Sequence, residues 1–377
     1  MKQRYQSFSV LMAAMLLASC GSSDDSDSDD SDSGAEDVSY SSLQINAADY
    51  DAWVYVSLTT GATLDLTDEE AATSTDWQLA FRRTAIKLNG GVSGSGNVQV
   101  ALADAQDEFY DDDGAADVSV FTNAVADTEA AALEVSYDTS ALTFSTDANE
   151  AAWADWYEYD TSTHQIAANT TVGWLLRHAD GETYSKVFLD VASYTDITAR
   201  FTTQAADTAQ FAGTEQSVSA TFADDATMLC LDLDSASEVD CDENSADWDL
   251  LYEVDTSNRA INIWTNGGVY GDGDGAVFGS IDATELADYT SATLVDSYDI
   301  SSHYSEDSSS NPFSDDSWYA YNLNGGHLLW PNFRTYLIDT DSTDDSASYF
   351  TLQVSDYYSL GASGSPEIRF QTMSTGE

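Results

Sequence analysis

The sequence predicts an all-β protein, two tandem antiparallel β domains behind a signal peptide and an acidic tether. Three observations predict it. Short runs rich in Val, Ile, Thr, Tyr, Phe and Trp alternate with Asp, Ser, Gly and Asn turns along nearly the whole chain. Hydrophobic residues make up 42% and aromatic residues 12% of the 377, too rich a mixture for a chain held disordered by its charge. One ordered set of landmarks occurs twice. The one candidate helix, Thr128 to Leu133, is too short to carry a fold.

Taken in chain order, residues 1–19 form a processing segment. Lys2 and Arg4 supply the positive start, Phe8 to Ala18 the apolar run, and Leu17-Ala18-Ser19-Cys20 closes it in the manner of a bacterial lipobox. The apolar run falls far short of the roughly 20 residues that span a bilayer. A lipidated Cys20 is therefore expected, with a plain signal peptide as the alternative. Gly21, where an aspartate would favour inner-membrane retention, points to the outer membrane. Residues 20–37 continue as a Ser/Asp-rich tether, which has nothing to bury and is extended by its own charge. With Cys20 taken by lipid, Cys230 and Cys241 remain as a pair in an oxidising compartment. A disulfide closing a hairpin from Leu229 to Asp242 is expected, since a metal pair would need further Cys or His nearby.

The repeat defines the domains, 38–204 and 212–377. Asp76-Trp77-Gln78-Leu79-Ala80-Phe81 is answered by Asp247-Trp248-Asp249-Leu250-Leu251-Tyr252. Asn89-Gly90-Gly91 with its glycine-spaced tail is answered by Asn266-Gly267-Gly268, and Trp156-Tyr157-Glu158-Tyr159 by Trp318-Tyr319-Ala320-Tyr321. A histidine follows each of the latter, His164 and His327. Tyr-bounded strands around 184–194 and 349–358 complete the set, and both copies end on a strand, Ile197 to Thr203 and Ile368 to Thr372. The seam falls near Ala205 to Gly213, with an independent core expected on each side.

This ordered set, together with the lipobox, resembles the HmuY family of haem-binding lipoproteins, over most of residues 38–377 and in two copies. The resemblance implies an all-β, hand-like fold on the outer membrane or shed from it. It also implies a haemophore-like function: taking haem from host or environmental haemoproteins and passing it to a TonB-dependent receptor. Its best-known members clamp the iron between two histidines, and some relatives use methionine. Here the candidates are His303 with His327 as the axial pair of the second copy, and His164 with His178 in the first. The second copy is expected to bind first, because only there does a loop histidine, His303, precede the strand that leads to the family-placed one. Met228 and Met373 are expected in the core or at a terminus.

With 67 Asp+Glu against 11 Lys+Arg, the net charge of -56 excludes nucleic acid and a polybasic membrane face as partners. Paired carboxylates occur by chance in so acidic a chain, and neither G-x-S-x-G nor H-E-x-x-H is present, so an enzyme is not expected. The rival reading is a surface binding or adhesion module that takes no haem.

Overall fold

Two tryptophan strands, Leu79–Arg82 and Leu250–Asp255, each lie inside a four-stranded sheet, and each such sheet packs on a five-stranded one. The structure, a computed structural model, describes residues 40–223, 226–241, 245–256 and 260–373. The expected signal peptide (1–19), the lipidated Cys20 and the tether (20–37) lie outside the described residues. The protein is all-β, with antiparallel pairing throughout the two five-stranded and two four-stranded sheets. The candidate helix at 128–133 is a helical turn, Ala126–Glu129, running into a 3-10 turn, Ala130–Glu134. It lies against the sheet through the Leu133 carbonyl, which accepts from Thr351 Oγ1 at 2.7 Å. Among the described residues no helix is long and apolar enough to cross a membrane.

The sheets do not follow the sequence seam. One five-stranded sheet has the order Ser41–Gln44, Glu367–Thr372, Tyr349–Asp356, Thr335–Asp339, Gln99–Asp104, so the last three strands of the second copy sit between two strands of the first. The other mirrors it: Gln216–Thr221, Asp196–Gln204, Tyr184–Ala192, Val172–Arg177, Ala276–Asp282. The first sheet covers the four-stranded sheet of residues 54–88, and the two share a core in which Leu79, Phe81 and Val100 meet Tyr336, Leu352 and Phe370. We call this the terminal body. The second covers the four-stranded sheet of residues 228–265, where Trp174, Val187 and Phe201 meet Leu231, Leu250 and Ile263. This is the central body.

The tandem-domain boundary is thereby corrected. The expected seam at 205–213 joins Asp196–Gln204 to Gln216–Thr221, which are hydrogen-bonded neighbours in one sheet. Neither 38–204 nor 212–377 holds a complete core, because each copy supplies its four-stranded sheet to one body and its final three strands to the other. The chain crosses between bodies at Ala148–Glu150 and Ser308–Ser310, which pair antiparallel. A buried aspartate precedes each crossing strand. Asp147 accepts from Leu88 N and Asn311 Nδ2, and Asp307 accepts from Thr265 N and Ala152 N. Burial pushes both carboxyls up, Asp307 to about 6.

The repeated landmarks share one job. Asn89 Nδ2 donates to the carbonyls of Ser74 and Trp77, and its Oδ1 accepts from Gly96 N. Asn266 does the same with Ser245, Trp248 and Gly273. Each thus ties the tryptophan strand to the glycine-rich tail. Gly91 and Gly268 lie at φ 61° and 68°, where a side chain would be strained and would also collide with the carbonyls of Asp147 and Asp307.

Candidate functional site

The Trp-Tyr-x-Tyr landmarks form hairpins on the outside of the bodies. In the central body Tyr157–Asp160 pairs with Gln165–Ala168. The hairpin is anchored by Trp156, which is buried, packs edge-on against Tyr252 with centroids 5.7 Å apart, and accepts at its carbonyl from Asn169 N at 3.0 Å. The turn is set by Asp160, whose carboxylate accepts from the Ser162 hydroxyl and backbone N–H and from Thr163 N–H, which pull it down to about 2. This geometry delivers His164 in the left-handed region, φ 58°, with its Nδ1 2.8 Å from the Tyr159 hydroxyl.

Beside this pair opens a groove of about 710 Å³, lined by Tyr157, Tyr159, His164 and Tyr194 on one side and Val254, Asp255, Thr256 and Ile261 on the other. The first side comes from the first copy and the second from the other, so the crossing of the chain builds the groove. Its volume lies within the about 300–1,000 Å³ of ordinary small-molecule sites. One imidazole, a hydroxyl on its far nitrogen, and aromatic and aliphatic walls are a donor set that suits a flat metallo-macrocycle.

The terminal body repeats the pair beside a shorter facing hairpin. His327 lies at φ 56° on the hairpin Tyr319–Tyr321/Leu329–Pro331, its Nδ1 2.6 Å from the Tyr321 hydroxyl. The facing hairpin, Leu79–Arg82/Ala85–Leu88, turns after four residues, whereas Leu250–Asp255/Ala260–Thr265 runs six before turning and supplies the second wall.

The expected axial pairs are not brought together. His303 ends the 3-10 turn Ser301–His303 in the central body, its ring 5.7 Å from Tyr298 and 6.5 Å from Phe278. It shares no hydrogen bond, ring contact or cavity with His327 among the described residues. His178 is fully buried, and its Nε2 lies 2.8 Å from Ser185 Oγ. Its Nδ1 faces Asp234 at 3.2 Å and Asp249 at 3.4 Å. Burial works against a charged His178, but these carboxylates outweigh it and hold its pKa above the ordinary value. A ring enclosed in this way cannot ligate haem alongside His164, so that expectation is corrected. Met373 is buried and accepts from Tyr137 N, while Met228 is exposed. Cys230 and Cys241 are bonded, with Cα atoms 5.3 Å apart. The groove wall at Val254 and Ile261 was not readable in the sequence, but the Tyr159/His164 and Tyr321/His327 spacings were.

Residues 49–202 match the family model described as HmuY protein, a stretch that includes the whole His164 hairpin. A solved structure from Bacteroides vulgatus, provisionally described as an HmuY-like heme-binding protein, aligns with 90% of this chain and 93% of its own at 11% identity and a TM-score of 0.29. No curated protein is similar enough to this chain to count as a match.

Proposed function

We propose that the protein binds haem in the central groove, with His164 as the iron ligand, and acts as a lipid-anchored haemophore that hands its cargo to a TonB-dependent receptor. The observation that carries the proposal is the Tyr159–His164 pair on the rim of an aromatic groove. The family match over 49–202 supports it. Haem binding selects the imidazole tautomer in which Nδ1–H donates to the Tyr159 oxygen, which frees the Nε2 lone pair for iron. Tyr157, Tyr194, Val254 and Ile261, which line the groove, would pack against the macrocycle and shield it from bulk water. Because His164 is the one histidine lining the groove, haem held there would not show a bis-histidine spectrum.

Titrating the mature chain with haemin tests this. Wild type, His303→Ala and His327→Ala should each give a one-to-one Soret shift, and His164→Ala should lose it. A bis-imidazole spectrum abolished by His303→Ala or His327→Ala would move the site to those residues. No Soret shift in wild type would favour the adhesion reading, for which Tyr50, Tyr298 and Tyr321, exposed at 71%, 62% and 56%, offer stacking surfaces outside the groove. Anchoring through Cys20 is tested by Cys20→Ser, which should leave the outer-membrane fraction; a processed variant retained there would overturn the anchor.

A further inference from the structure

His178 has no place in the haem groove, yet its surroundings converge on a single point. Its side chain is wholly buried, and Nε2 is committed to Ser185 Oγ, which in turn lies 3.1 Å from Thr203 Oγ1. With Nε2–H donating there, the lone pair of Nδ1 points the other way. Nδ1 makes no hydrogen bond of acceptable geometry, although Asp234 Oδ1 lies at 3.2 Å and Asp249 Oδ2 at 3.4 Å. One donor atom from each of the three residues lies within 4.8 Å of the others. Three such donors facing one another, two of them buried, call for a positive charge between them, which either a metal ion or the proton of a His178 imidazolium can supply.

The spacing fits a metal. Bonds of about 2.0–2.2 Å to imidazole nitrogen and carboxylate oxygen put the ligand atoms of a tetrahedral site roughly 3.3–3.6 Å apart. Asp249 is also held from behind, Oδ1 accepting from Ala179 N at 3.0 Å and Oδ2 from Leu233 N at 2.8 Å, which fixes the carboxylate as outer contacts fix metal ligands. Asp234 is half exposed and opens on a cleft of about 970 Å³ lined by Asp180, Asp232, Glu238, Asp240 and Asp247, a field that concentrates cations and leaves a fourth position for water.

We propose that His178, Asp234 and Asp249 bind one divalent transition-metal ion, with Zn²⁺ as its model, at a site independent of haem. The imidazole favours such a metal over Ca²⁺ or Mg²⁺, which prefer all-oxygen shells. The terminal body supplies an internal control. Strand register places Thr59, Gln78 and Thr340 at the equivalent positions, and Gln78 Oε1 accepts from Leu58 N as Asp249 accepts from Leu233 N. A neutral amide serves the one backbone bond in the terminal body, whereas Asp249 takes a second from Ala179 N and brings a negative charge to within 3.4 Å of His178.

The test uses the chelator-stripped mature chain without haem, titrated with Zn²⁺ in 0.15 M salt, and Co²⁺ absorption as the readout of geometry. Wild type should bind one Zn²⁺ per chain and give intense tetrahedral Co²⁺ bands. Asp234→Asn, at a half-exposed position, should fold normally by circular dichroism and bind at least tenfold more weakly without those bands. Asp240→Asn and Asp247→Asn should stay within about threefold of wild type. Ser185→Ala, which frees the ring, should weaken binding while leaving a Co²⁺ spectrum. Equal affinity in wild type and Asp234→Asn, or several weak ions per chain, would overturn the site. No binding at all would reduce the cluster to a buried ion pair.

Discussion

The terminal and central bodies are built on one frame and differ where the frame does not need them to agree. Both have the asparagine clamp, the buried aspartate before the crossing strand and the Tyr–His hairpin. They part company around the tryptophan. In the terminal body Tyr55 packs edge-on against Trp77, centroids 4.9 Å apart, and its hydroxyl donates to Asp68 at 2.6 Å. Strand register puts Cys230 at that position in the central body, where the Cys230–Cys241 bond lies beside Trp248. The central body also has the longer facing hairpin and the charged trio. Shared residues therefore mark what holds the strands, and the residues that differ mark where a ligand can go.

The largest expected effect is on fragments of the chain. Residues 148–305, which contain every strand of the central body, should fold and unfold cooperatively, whereas 38–204 and 212–377 should each lack a cooperative transition by near-ultraviolet circular dichroism. Cooperative unfolding of 38–204 would restore the tandem boundary and end the comparison as drawn. Next comes the disulfide. Cys230→Ser with Cys241→Ser should cost the central body about 3 kcal/mol on the chain-entropy model for so short a loop, and leave the terminal body unchanged. In urea the single transition should split, with Trp248 exposed before Trp77. The clamps come third: Asn89→Ala and Asn266→Ala each orphan three backbone groups and should each cost about 1–3 kcal/mol, to a similar degree in the two bodies. A marked inequality would show that the frame is not shared in energy as it is in shape.

The remaining effect is a matter of pH, spread over the window between two pKa values. Asp307 titrates near 6 when folded and in the ordinary range near 3.8 when unfolded. Between those values the folded protein holds a proton that the unfolded chain has released, so Asp307 makes stability fall as pH rises through that window, by less than about 1.4 kcal/mol per unit. A carboxyl carbon signal of Asp307 with its midpoint below 4.5 would contradict the burial that causes the shift.

Much of the frame was legible because its devices are local. Asn-Gly-Gly needs an Asn to clamp and a Gly at positive φ, and the cysteine pair sits on one hairpin. The exchange of strands was not legible, because two copies with the same landmarks offer chemically equivalent partners within and between copies. Only the short link between Gln204 and Gln216, which keeps neighbouring strands together, tips the choice, and links carry no hydrophobic pattern. For the same reason His178 looked like a spare haem ligand. It is an exposed-looking residue after Leu175-Leu176-Arg177, and its burial depends on Asp234 and Asp249 arriving from the other copy. The groove of His164 was half visible: its Tyr–His side lies in one landmark, its aliphatic side across the seam.

The crossing strands also impose a schedule on synthesis. The central body is a continuous stretch and can close as soon as residue 305 has emerged. The terminal body cannot, because Ser41–Gln44 has its place only beside Glu367–Thr372, and Ser42 bonds to Glu367 across 325 positions of chain. Ser41–Gln44 and Gln99–Asp104 must therefore wait without a partner strand, and the apolar face of the 54–88 sheet uncovered, for nearly the whole chain to arrive, which makes this the slow and aggregation-exposed half of folding. Premature termination anywhere after 305 would release a finished central body trailing a sticky, unfinished arm.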